Sequence, residues 1–149
     1  MKTVIKRFDE LSGEEVYNIL KVRSAVFVVE QNCVYQDLDD VDKDAYHVYM
    51  EDEGQIVAYL RVVDKGKRLD EVSVGRVISL KRRCGLGSKL MKVGLQVAQE
   101  KFHAKKVKVG AQVYAKPFYE SVGFVQCSEE YLEDGIPHVY MIFDGACTR

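Results

Sequence analysis

No stretch of this sequence is apolar for long enough to cross a bilayer. Its longest apolar runs, residues 25–29 among them, fall far short of the roughly 20 residues that a membrane helix needs. Residues 1–8 hold no long apolar segment followed by a small-residue cleavage site, so nothing there reads as a secretion signal, and a soluble cytoplasmic protein is expected. Net charge is nearly absent as well: 22 basic and 23 acidic side chains leave a formal charge of −1. No global field therefore draws the chain to nucleic acid or to an anionic membrane, and no aromatic platform suggests RNA binding. Cys33, Cys84, Cys127 and Cys147 are widely separated, with no Cys-x-x-Cys pair. That spacing excludes a zinc knuckle or dithiol redox motif and reads as reduced thiols, with no metal site expected. Internal repeats and low-complexity segments are also missing. What remains is a chain of 149 residues with 47% apolar content, which suits one domain over residues 1–149, burying about two thirds of its unfolded surface.

The chemistry concentrates in residues 74–91. Val74 to Ser79 read as a strand, Lys81-Arg82-Arg83-Cys84-Gly85-Leu86-Gly87 as a basic turn, and Ser88 onward as a helix. Two glycines let the backbone bend with its amides outward, and a helix start adds its own unpaired N–H groups, so an anion such as a pyrophosphate can sit there. Two common phosphate loops fail residue by residue. A Walker A loop needs glycine where Arg82 stands, and a dinucleotide fingerprint needs a third glycine where Leu90 stands. The pattern left is Arg-x-x-Gly-x-Gly, Arg82 to Gly87.

Read in order, residues 3–7 form a β-branched strand, and Ser12-Gly13-Glu14-Glu15 is a capping box that starts a helix. Val16, Ile19, Leu20, Val26 and Phe27 make its buried stripe, with Arg23 as the polar exception: a helix-edge cation or part of a site. Residues 30–44 are acidic and irregular and read as a surface loop. Residues 47–51 and 56–63 flank a hairpin turn at 52–55, and residues 71–79 complete an antiparallel meander. The helix after Gly87 turns Leu86, Leu90, Val93 and Val97 to one side, widened by Met91 and Leu95, for packing on a sheet. Residues 105–110 alternate lysine with valine as a strand with one wet face. Pro117 starts and Gly123 stops a short helix, and a turn at 133–137 precedes the last strand, 138–143. The order points to an α+β fold: a mixed, mostly antiparallel twisted sheet flanked by helices, with a strand-loop-helix site.

A second motif makes the first specific. Gln112, Ala115, Tyr119, Gly123 and Phe124 match Asn-x-x-Ala-x-x-x-Tyr-x-x-x-Gly-Phe, with glutamine for asparagine, one helix and one strand after the loop. The pair resembles the GNAT superfamily of N-acetyltransferases. Residues 26–33, the Gln112 segment and residues 134–138 look like its ElaA-like branch. The resemblance implies acetyl-CoA as co-substrate and an amine acceptor, small molecule or peptide, that the motifs do not name; a homodimer is left open. It places the pantetheine arm on amides of Val77, Ile78 and Ser79, and the pyrophosphate on amides of Arg82, Arg83, Cys84, Gly85, Leu86, Gly87 and Ser88, with Gln112 also on the cofactor side.

It also assigns the departing CoA thiolate to the Tyr119 hydroxyl. A phenol near pKa ~10 is a weaker acid than a thiol near ~8.5, so full proton transfer is uphill by roughly 2 kcal/mol. Tyr119 therefore either hydrogen-bonds the developing charge or has its pKa lowered by nearby amides and cations. An ammonium acceptor must lose a proton before it attacks, and Glu30, His47, Glu71 and His138 are the candidate bases, with Arg23 a candidate for the acceptor pocket. Cys84, between arginines and glycine, is either a reactive thiol or a small side chain whose amide alone matters. A non-catalytic acyl-CoA sensor on the same fold is the alternative function.

Overall fold

A computed structural model describes residues 1–80 and 85–145. Strand β1 (Lys2–Arg7) pairs antiparallel with β2 (Tyr46–Asp52), β2 with β3 (Gln55–Val63), and β3 with β4 (Val72–Ser79). Helix α2 (Leu86–Phe102) then crosses over to β5 (Lys106–Gln112), which runs parallel to β4. After a short helix α3 (Lys116–Ser121) come β6 (Val125–Gln126), β7 (Tyr131–Glu133) and β8 (Ile136–Asp144). The sheet order is β1-β2-β3-β4-β5-β8-β6, with β7 also on β8. Every pairing except β4–β5 is antiparallel, which is the mixed sheet expected from the order of elements.

Local chemistry explains the connections. Both two-residue hairpin turns place an acidic residue and a glycine at positive φ, Glu53 (51°) with Gly54 (77°) and Asp134 (51°) with Gly135 (77°). That backbone twist matches the twist of the flanking strands. Helix α1 (Gly13–Arg23) starts as the capping box predicts: the Glu15 amide donates to Ser12 Oγ at 3.1 Å and the Ser12 amide to Glu15 Oε1 at 2.9 Å. It continues into a wider, π-helical turn, Ser24–Glu30.

Alternation along the strands sends side chains to two cores. Val48, Leu60 and Val62 pack with Leu90, Met91 and Ala98 of α2, whereas Tyr49, Tyr59 and Ile78 pack with Ile19 of α1. The two faces of the sheet are thus covered by different helices. Helix α2 lies close because Gly94 has no side chain: a Cβ there would stand 2.9 Å from Leu60 Cδ2.

The surface loop expected at 30–44 is irregular and largely exposed over residues 31–40, but it is anchored more deeply than expected. Val41–Asp44 forms a 3₁₀ turn, and Asp37 and Asp42 are buried. The reason lies elsewhere in the chain: Arg23 is 0% and Arg61 1% exposed, and these acids are their partners. A buried guanidinium without a carboxylate would be far too costly to keep.

Candidate functional site

Strands β4 and β5 pair only at Val72–Val107 and Ser73–Lys108, after which they part. Part of the cause is an irregularity on the other side of β4. Between the pairs Tyr59–Ile78 and Arg61–Gly75, β3 spends one residue, Leu60, and β4 spends two, Arg76 and Val77. The extra residue is a β-bulge, with Arg76 at φ 52°. Bulges bend and twist a strand, and here the strand bends at the point where its parallel neighbour is lost.

The opening is a cleft of about 490 Å³. One wall is the β4 edge from Gly75 to Leu80, including Val77, Ile78 and Ser79; another is Val109, Gly110 and Gln112 of β5 with Tyr119 of α3. The π-helical turn and the segment after it bring Phe27, Glu30, Gln31 and Cys33, and the β7–β8 hairpin brings Glu133, Asp134 and His138. Beyond Ser73 the edge of β4 that faces the cleft has no β5 partner, so its backbone groups can pair with an extended amide-bearing chain, as an added strand would.

Of the residues expected from sequence, the cleft gathers Val77, Ile78, Ser79, Gln112, Tyr119, Glu30 and His138. Arg82, Arg83 and Cys84 lie outside the described residues. Gly85 caps α2 at φ 72°, a left-handed conformation that glycine adopts without a Cβ penalty. Leu86 buries its side chain in the core under α2, which leaves only its backbone for a ligand. Gly87 packs against α3, where a Cβ would meet Phe118 Cε1 at 3.1 Å. Ser88 sits in the first turn of α2.

Three expectations are corrected. Arg23 is not on an acceptor pocket: its Nε donates to Asp37 Oδ2 at 2.9 Å and its Nη1 to Asp42 Oδ1 at 2.6 Å, in the interior. His47 is not at the cleft. Its Nε2–H donates to the Asp42 carbonyl at 2.9 Å and its Nδ1 accepts from the Tyr59 hydroxyl at 2.7 Å. Glu71 precedes β4 and is not part of the cleft lining.

His47 has a consequence for stability. Burial moves its pKa below the usual 6.5, with the nearby Arg23 and Arg61 charges acting in the same direction, and the Asp42 carbonyl bond and Asp42 charge only partly oppose them. A depressed histidine contributes stability that is full above its unfolded pKa and is lost as pH falls below it. Thermal melts from about pH 7.5 down to about pH 5 are expected to show falling stability, and His47→Gln is expected to flatten that slope. An unchanged slope in the variant would contradict the assignment.

Tyr119 is 7% exposed, with its ring edge-on to Phe118 at 5.2 Å and to Phe124 at 5.7 Å. Burial, with a smaller contribution from Tyr114, pushes its hydroxyl pKa up, which favours the hydrogen-bonding route over the lowered pKa. The group is a protonated phenol that can donate a hydrogen bond. His138 is also buried; its Nδ1–H donates to the Ile136 carbonyl at 2.7 Å, which leaves Nε2 to exchange a proton, 3.6 Å from Glu133 Oε2. The Gln112 side chain is taken by Gln31: their amides exchange hydrogen bonds at 3.1 and 3.4 Å across the cleft.

Sequence reasoning passed over Arg61, Arg76, Asp37, Asp39 and Glu133. Arg61 grips Asp39 with both terminal nitrogens, at 2.8 and 2.7 Å, and Asp42 at 2.9 Å. Burial alone would raise the Asp39 pKa, but Arg61 bonding and charge prevail and hold it down at about 2. Two arginines inside apolar strands, with five aspartates in one irregular segment, were the available signal. Among the described residues, no His, Cys, Asp and Glu side chains cluster to hold a metal ion, and no helix is long and apolar enough to cross a membrane.

Comparison with known proteins agrees with this geometry. Residues 8–144 match the Acetyltransferase (GNAT) domain family. Protein ElaA of Escherichia coli (strain K12) is 41% identical over 136 residues, 89% of each chain. A UPF0039 protein of Schizosaccharomyces pombe is 41% identical over 145 residues, 95% of each. The crystal structure of E. coli ElaA superposes with a TM-score of 0.89 at 37% identity over a longer alignment, covering 96% of this chain and 99% of that one. An acyl-CoA N-acyltransferase from Pseudomonas aeruginosa superposes with a TM-score of 0.88 at 38% identity, again over 96% and 99%. Parted strands, glycine turn and matched sequence converge: the chain belongs to the GNAT acetyltransferase family, in the branch that contains ElaA.

Proposed function

We propose that the protein transfers an acetyl group from acetyl-CoA to a primary amine of a small molecule or peptide, by direct attack of the amine on the thioester. The observation that carries this reading is the open edge of β4 along the cleft, with Tyr119 on one wall and His138 on another. The fit to acetyl-CoA rests on chemistry this chain offers. Unpartnered backbone groups of Val77 to Ser79 suit the amides of a pantetheine arm, and the left-handed Gly85 at the start of α2 suits a pyrophosphate.

An alkylammonium with pKa ~10.4 is almost wholly protonated at neutral pH, so it must lose a proton before or during attack. His138 takes that proton at Nε2, directly or through water, its ring held by the bond from Nδ1–H to the Ile136 carbonyl. The amine nitrogen then bonds to the carbonyl carbon, the carbon–sulfur bond breaks, and negative charge gathers on sulfur. Tyr119 donates a hydrogen bond to that sulfur without giving up its proton, consistent with its raised pKa.

Ligand class is tested by thermal shift. Acetyl-CoA at a hundredfold excess over its Kd is expected to stabilise the protein by about 2.7 kcal/mol, a rise of roughly 5–10 °C for a chain of this length, while ATP at the same concentration gives none. An equal rise with ATP, or none with acetyl-CoA, would remove the proposal.

A further inference from the structure

We propose that Arg76 and Asp37 form a positioning clamp that holds the acyl-donor edge of β4 and the facing segment 31–44 in a single arrangement. The inference rests on the acyl-transfer reading of the cleft, and goes beyond it in assigning a role to two residues that would not touch the reacting atoms.

Arg76 occupies a left-handed backbone conformation, φ 52°, in the middle of a strand. Glycine adopts that conformation freely and arginine does not, so something outside the strand must hold it. The side chain shows what does. Its Nε donates to Asp37 Oδ1 at 2.7 Å and its Nη2 to the Asp37 carbonyl at 3.0 Å, so the fork of one guanidinium closes on one residue. The guanidinium also lies over the Tyr35 ring at 5.7 Å, and the Tyr35 hydroxyl donates to the same Asp37 oxygen at 2.7 Å. Asp37 is fixed in turn from behind: its Oδ2 accepts from Arg23 Nε at 2.9 Å and its carbonyl from Arg23 Nη2 at 3.1 Å.

Asp37 is therefore a bridge between the end of α1, where the helix widens into the π-helical turn, and the bulge in β4. Both attached segments line the cleft, with Gln31 and Cys33 on one side and Val77 to Ser79 on the other. Were this pair only packing, an apolar residue at 76 would serve, and the strand would be freer to return to regular pairing. A forked charge-assisted contact instead specifies both a distance and an angle. The bulge sets the direction of the β4 peptides immediately after it, which are the ones available to a pantetheine arm. Releasing the clamp at Asp37, which does not line the cleft, should loosen the donor edge from a distance.

The test uses three variants of the full chain. Arg76→Gly keeps the φ and removes the clamp, Arg76→Lys keeps the charge and loses the fork, and Asp37→Asn weakens the pair from the other side. Hydrogen exchange of the free protein is the first readout. Asp37→Asn is expected to speed exchange in residues 74–80, remote in sequence, by about tenfold, and Arg76→Gly to do the same in residues 31–44. Affinity for acetyl-CoA by calorimetry is the second, expected to weaken by about tenfold in Asp37→Asn and Arg76→Gly, and less in Arg76→Lys. Faster exchange confined to the substituted segment, or affinity unchanged in all three, overturns the clamp. If Arg76→Gly does not fold, the two conservative variants decide the matter. Failure of the wild type to bind acetyl-CoA would sink the reading of the cleft instead, and the exchange data would still decide whether the two segments are coupled.

Discussion

Tyr119→Phe is expected to lose about a hundredfold in turnover while its affinity for acetyl-CoA stays within about twofold of wild type. The asymmetry follows from what the substitution removes. The ring stays between Phe118 and Phe124, so the wall of the cleft keeps its shape, and only the hydroxyl goes. A thioester carries little charge on sulfur until the carbon–sulfur bond begins to break. A donor aimed at that sulfur is therefore worth most in the transition state, and more in a buried site than in water. Steady-state kinetics with a saturating amine, paired with direct binding of acetyl-CoA, separates the two effects. Turnover near wild type would reduce Tyr119 to a packed ring. Because burial raises its pKa, Tyr119 is also expected to add no ionisation of its own to the pH–rate profile near neutrality.

Arg23→Ala is expected to cost about 3–5 kcal/mol of stability, the range for breaking a buried ion pair by removing one partner. For a chain of this length that is a fall in Tm of roughly 6–20 °C. Arg23 is wholly buried, and its removal leaves Asp37 and Asp42 with fewer partners in the interior. The pH dependence gives a second check. In the intact protein, burial would raise the Asp42 pKa, but bonds and charge from Arg23 and Arg61 lower it below its usual 3.8. A depressed carboxylate contributes stability that is full above its unfolded pKa and is lost as pH falls through its folded one. Arg23→Ala gives up part of that contribution, so the gap in stability between variant and wild type is expected to narrow as pH falls below about 4. A variant that melts with wild type at neutral pH would mean that the network is not holding the segment 31–44 in place.

These two residues mark what could be read from the chain and what could not. Tyr119 was nominated by the family resemblance, and that resemblance was legible because its motif is local: Ala115, Tyr119 and Gly123 fall on one short helix and its flanks. The hairpins were legible for the same reason, since Glu53-Gly54 and Asp134-Gly135 carry their turn geometry in two adjacent residues. Arg23 was noticed as an anomaly on an apolar stripe, but its partners lie 14 and 19 residues away in a segment without periodicity. Pattern reasoning sees a run of aspartates as a solvated loop. Only the fold shows that Asp37, Asp39 and Asp42 each face an arginine on another element. The bulge at Arg76 was hidden for a related cause: nothing in Val-Gly-Arg-Val says that a residue there takes the left-handed conformation, or that it is the arginine. In the structure Arg76 takes it, with Asp37 as its anchor. Glu133 was read as part of a turn, and its place 3.6 Å from His138 depends on the β7–β8 register.

The most direct test of the account is release of free CoA thiol from acetyl-CoA in the presence of a panel of amines, with the acetylated product followed by mass. The account predicts thiol release above the amine-free background for at least one primary amine, matched one-for-one by an N-acetylated product and suppressed in Tyr119→Phe. Binding of acetyl-CoA without thiol release for any amine across a broad panel would contradict it, and would mark the cleft as a site that holds an acyl-CoA without passing its acyl group on.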